Sequence, residues 1–146
     1  MKPYFLILTL LFITCDNLLQ DDEPSVCDHC YCEIEAYQLE QDENGVYQLY
    51  FGDAEIQQFT QLRTYVGYEY EYVGWTTDMT FEACVWDFCE DVMVINTAGY
   101  SSDDGYAYQM MGVYPENIGD TATICSGYTD EFGNDWSDCM YVKVNP

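Results

Sequence analysis

Stretches of alternating apolar and polar residues recur along this chain after its first thirty positions, separated by turn residues. Ile34 and Ala36 alternate with Glu33 and Glu35, and Tyr37 and Leu39 then take up the opposite parity. That phase slip near Ala36 and Tyr37 predicts a bulge, because a one-residue shift exchanges the two faces of a strand. Asp42-Glu43-Asn44-Gly45 contains the Asn-Gly pair favoured in tight hairpins, and residues 46–51 are predicted as the return strand. Leu62, Thr64 and Val66 alternate with Arg63 and Tyr65, which predicts a strand over residues 59–66. Tyr68, Tyr70 and Tyr72 alternate with Glu69 and Glu71 and read as strand by the same rule. Residues 92–95 form a short apolar run, and Ser101-Ser102-Asp103-Asp104-Gly105 reads as a turn before a strand over 106–113. Residues 121–129 and 137–144 are predicted to close the chain as a hairpin around Asp130 to Asp135. No segment keeps a helical period. Short strands at this spacing predict an all-β fold, an antiparallel sandwich over residues 31–146.

The start of the chain follows another pattern. Lys2 precedes an apolar run over residues 5–13, which ends at Cys15. Spanning a bilayer takes about 20 apolar residues. A charged start with a shorter apolar run predicts a signal peptide over residues 1–14. No small-residue A-x-A site for ordinary cleavage follows. Leu11-Phe12-Ile13-Thr14-Cys15 resembles the lipobox of bacterial lipoproteins, with Phe12 and Thr14 where that family prefers Leu and a small residue. The resemblance implies a lipid on Cys15 and membrane attachment through that lipid. An ordinary cleaved signal with Cys15 near its apolar run is the alternative. Residues 15–30 are acidic and poor in large apolar side chains, so they are expected to form a solvated tether. Gln20-Asp21-Asp22-Glu23 is similar to the short acidic export signal of surface lipoproteins of Bacteroidetes. The expected location is therefore extracytoplasmic, facing the periplasm or on the cell surface.

Charge narrows the partners. The chain has 27 acidic residues against 3 Lys and Arg, a formal charge of −24. Nucleic-acid binding needs Lys and Arg to neutralise phosphates, so no nucleic-acid partner is expected. A protein, a glycan or a divalent cation remains compatible. Disorder is not expected, because 49% of residues are hydrophobic and 15 are Tyr, enough to build a core.

Two stretches carry a fold-level resemblance. Gly119 to Val144 (GDTATICSGYTDEFGNDWSDCMYVKV) is similar to the last two strands of bacterial Ig-like domains, with a D-x-x-G-N turn at Asp130 to Asn134 and a V-x-V ending. Val85-Trp86-Asp87-Phe88 resembles the W-D-F of PKD-type repeats, with Cys89-Glu90-Asp91 where that family has G-D-G. Both imply an Ig-like sandwich and neither implies an activity.

Eight cysteines in an exported chain predict disulfides. In the closing hairpin Ala122 and Ile124 share one parity, and Met140, Val142 and Val144 share one on the partner strand. Cys125 and Cys139 then both lie on the outer face. A register pairing them centres on Phe132, inside the turn, so a Cys125–Cys139 disulfide is expected. Cys84 and Cys89 bracket four residues and are expected to staple a tight loop. Cys27, Cys30 and Cys32 stand beside the sole histidine, His29. In an oxidising compartment one disulfide within the cluster, or a bridge from it to the sandwich, is expected, with any remaining cysteine a free thiol. The alternative is a soft-metal site from Cys27, His29, Cys30 and Cys32, although this is only half of a zinc signature.

No nucleophile elbow, phosphate loop or zinc-protease motif is present, so no catalytic residue and no cofactor is assigned. Asp103-Asp104 and Asp130-Asn134-Asp135 are turn oxygens of the kind that bind Ca²⁺, but neither fits the EF-hand loop, and they are expected to be solvated turn residues. Trp75, Trp86 and Trp136 could form a sugar-stacking face or serve as packing residues. The expectation is a non-enzymatic envelope lipoprotein with a structural, adhesive or ligand-binding role. A metal-binding module and an accessory carbohydrate-binding domain are the alternatives.

Overall fold

The computed structural model describes residues 31–146; the stretches predicted as signal peptide (1–14) and tether (15–30), with Cys15, Cys27, His29 and Cys30, lie outside the described residues. Eleven strands are seen among the described residues. They are β1 (Glu33–Glu35), β2 (Glu40–Gln41), β3 (Tyr47–Tyr50), β4 (Gln58–Tyr65), β5 (Tyr72–Thr77) and β6 (Thr80–Val85). They continue as β7 (Phe88–Met93), β8 (Ala98–Tyr100), β9 (Tyr106–Val113), β10 (Thr121–Thr129) and β11 (Asp135–Asn145). The helical element among the described residues is one 3-10 turn, Pro115–Asn117.

Two sheets form the sandwich. One has the order β1-β4-β9, and the other has the order β2-β3-β11-β10-β5-β8. The alternation in the sequence becomes two inner faces. Thr60, Leu62 and Thr64 of β4 face Ala122, Ile124, Met140, Val142 and Val144 of β10 and β11, all of them buried. On one side the sandwich is closed. The segment around β8 pairs with β5, and its ends bridge to β9 at Ile95 with Met111 and at Ser101 with Ala107.

The pairings are antiparallel apart from β3, which runs parallel to β11. The purely antiparallel expectation is corrected there. The other corrections are local. The phase slip after Ala36 is the end of a strand, not a bulge. Leu39 N–H donates to Ala36 C=O at 2.8 Å in a turn that carries the chain from the first sheet to β2 in the second. The Tyr68–Tyr70–Tyr72 alternation is a turn up to residue 71, and β5 begins only at Tyr72. Tyr70 has φ 61° and is 74% exposed, so its parity reports no buried face. The Ser101 hydroxyl donates to Tyr68 C=O and accepts from Glu71 N–H, which takes up bonds that a strand would need.

Candidate functional site

The hairpin of β6 and β7 belongs to neither sheet of the sandwich. Its base is fixed to the body. Met79 and Val94 are buried, and Val94 N–H donates to Met79 C=O. The Phe81 ring stacks on Tyr114 with centroids 4.0 Å apart, and Asn117 Nδ2 donates to Thr80 C=O at 2.9 Å. From this base the ribbon runs about 15 Å to its tip, at roughly 3.3 Å per residue.

Register sets its two faces, because directly paired residues share a side. Phe81 pairs with Val92, Ala83 with Glu90 and Val85 with Phe88, which makes one apolar face carrying a single carboxylate. Glu82 pairs with Asp91 and Cys84 with Cys89, which makes an acidic face closed by a disulfide. At the tip Val85 is 67%, Trp86 94% and Phe88 83% exposed. Large apolar groups are normally withdrawn from water, and three together on a stapled tip are informative.

The turn sharpens the point. Trp86 and Asp87 form a two-residue loop, and Trp86 has φ 61° while Asp87 keeps a negative φ. A positive φ at the first loop position is a place for glycine. A bulky residue there costs about 1–2 kcal/mol. The fold tolerates this cost for an indole that touches almost nothing. Strain of that kind gathers at contact sites.

The remaining predicted sites resolve as follows. Cys125 and Cys139 are paired in register and joined by a disulfide on the outer face. Cys84 and Cys89 are likewise joined, so the sulfurs beside Glu82 are spent in a bond and offer no thiolate to a metal. Cys32 is a half-buried thiol whose Sγ contacts Ser126, donating to its C=O at 3.5 Å. Burial pushes this thiol up from its ordinary value, and the charge of Asp138 adds to the shift.

The three tryptophans do not share a face. Trp75 is in the core, Trp86 is at the hairpin tip, and Trp136 is half-buried against the core. A tryptophan sugar platform is therefore not formed. The closing turn spends its carboxylate oxygens internally instead of on solvent. Asp130 Oδ1 accepts from the N–H groups of Phe132 and Asn134, and Oδ2 accepts from Asn134 Nδ2 and Trp136 Nε1. A carboxylate has about four such positions, so this one is saturated by its own turn. Asp104 likewise accepts from Tyr106 N–H and Tyr108 OH, which hold its carboxyl below the usual range.

Burial alone would raise the Asp130 carboxyl, but the bonds from Trp136, Asn134 and Phe132 prevail and bring it from 3.8 to about 2. Its folded value lies below its unfolded one. Its stabilising contribution is therefore complete above about pH 4 and lost as pH falls through about 2. The difference in Tm between the parent and Asp130→Asn is expected to shrink over that window. A difference that stays constant from pH 6 to pH 2 would contradict the assignment.

Sequence reasoning saw the Cys84–Cys89 staple but not the hairpin as a site. The available signal was the symmetry of Cys84-Val85-Trp86-Asp87-Phe88-Cys89 about a two-residue centre. It was masked because Trp-Asp is not a hairpin turn pair. Compared with known proteins, the chain matches no family profile and no curated protein.

Proposed function

We propose that this chain is a non-enzymatic, exported binding domain, tethered to a bacterial envelope by lipid on Cys15, which contacts a protein partner through the β6–β7 hairpin. One observation carries this reading: a disulfide-stapled ribbon, fixed at its base, holds Val85, Trp86 and Phe88 in water. The apolar run ending at Cys15 supports the anchor, and the two disulfides support an oxidising compartment.

The magnitudes fit an adhesive element. Covering the three tip side chains contributes roughly 2 kcal/mol each, about 6 kcal/mol together. Micromolar affinity needs about 8 kcal/mol, after the cost of association. The tip is therefore an anchor that further contacts must complete, as aromatic hot spots are in other interfaces.

In-cell photo-cross-linking tests the reading. A benzophenone side chain at position 88 is expected to give a discrete adduct with an envelope or surface protein. The same group at Phe132, exposed in the turn at the opposite end of β10, serves as the control. No adduct at 88, or an identical pattern at 132, would sink the proposal.

A further inference from the structure

We infer that the partner of the hairpin presents an apolar patch edged by lysine or arginine, with a basic group facing Glu90. This rests on the binding role just proposed and adds the chemistry of what is bound. The apolar face of the ribbon is interrupted at one place. Glu90 lies opposite Ala83, between the Phe81–Val92 and Val85–Phe88 pairs. A surface that covers Phe88 and Val92 must also cover this carboxylate. Burying a carboxylate without a partner is costly, so a cation has to meet it.

The rest of the ribbon has the same sign. Glu82, Asp87 and Asp91 are exposed on its other face and tip, and residues 80–93 contain no Lys or Arg. Charge also argues against two other occupants. A second copy would bring acids to acids, since the described residues contain only two bases, Arg63 and Lys143. Of these, Arg63 is held by Glu35 at 2.7 Å and lies between the rings of Tyr37 and Tyr106. An anionic lipid surface carries the sign of the hairpin and repels it. Opposite charge on a protein partner steers the encounter and fixes the register.

The test uses two amphipathic helical peptides with the same leucine face, one edged by lysine and the other by glutamate. Binding to the folded full-length protein is measured at low and at physiological salt. The lysine-edged peptide is expected to bind roughly tenfold tighter or more. Glu90→Lys should reverse the preference, and Trp86→Ser should lose both peptides with the circular dichroism unchanged. Glu131→Lys makes the same charge change in the distant β10–β11 turn and should leave the affinities as they are. If Glu131→Lys weakens binding as much as Glu90→Lys does, the attraction is only the chain's general acidity and the inference fails. If both peptides bind equally and both are lost in Trp86→Ser, the hairpin remains the contact element but the basic partner is wrong. If Trp86→Ser changes nothing, the hairpin reading falls as well. Binding of neither peptide also overturns the inference.

Discussion

Replacing Trp75 by alanine is expected to cost about 3–5 kcal/mol, the range for deleting a fully buried large aromatic. Trp75 is 1% exposed and is the largest fully buried side chain described. It sits on β5, paired with Ser126 of β10, with its ring between the two sheets. Domains of this size hold only about 5–15 kcal/mol in total. At about 4 °C per kcal/mol, the melting temperature should fall by about 15 °C. Trp75→Phe is expected to cost much less. Among the described residues the Trp75 Nε1 donor has no hydrogen-bond partner. Phenylalanine therefore removes an unsatisfied group while keeping most of the ring, and the loss is confined to the smaller volume. Thermal unfolding of both variants checks this. Equal losses would mean that the ring is not packed as described.

The second large effect belongs to the closing hairpin. The Cys125–Cys139 bridge spans a sequence separation of 14. Chain entropy assigns a closed loop of that length about 3 kcal/mol. The Cys125→Ser, Cys139→Ser double variant should therefore melt about 12 °C below the parent. Reducing agent should lower the parent's melting temperature by at least a comparable amount and lower the double variant, which keeps the short Cys84–Cys89 loop, by less. A parent indifferent to reductant would contradict the bridge's contribution.

The closing hairpin was legible because several levels of the sequence agreed. Met140, Val142 and Val144 fixed which face was inner, the Asp130–Asn134 turn fixed the centre, and the two cysteines then had only one register. Residues 106–113 were legible from the Ser101–Gly105 turn ahead of them and their aromatic and apolar content, although the buried parity includes Gln109 and the outer one Met110. Tyr68 to Glu71 misled because the alternation of Tyr with Glu carries no buried partner. A period of two shows only that two sides differ, and here both sides face water or a turn. The β3–β11 pairing was hidden because direction is not encoded in parity. The break after Ala36 was hidden because a sheet change and a bulge give the same phase slip.

The candidate site was the least legible part, for a physical reason. Core residues announce themselves by period and burial, whereas a contact element is defined by what it leaves uncovered. Trp86 looked like any other tryptophan until its neighbours were known. Cys84 and Cys89 pointed to the loop, but the strands on either side carry Glu82, Glu90 and Asp91 and lack a conventional turn pair. Trp86 breaks a local rule, a bulky residue where glycine belongs, but Tyr70 breaks it too in an exposed turn, so it is the stapled, exposed tip and not strain alone that singles out Trp86 as the proposed contact.

The central claim is that Trp86 serves contact at the expense of the fold. Trp86→Gly tests it most directly. The substitution removes a side chain that is 94% exposed and gives the φ of 61° to the residue that adopts it freely. Thermal unfolding is expected to show a melting temperature about 4 °C above the parent, corresponding to about 1 kcal/mol of relieved strain. The same variant carrying the benzophenone at position 88 should lose its adduct. A melting temperature that falls, or an adduct that persists, would contradict the account.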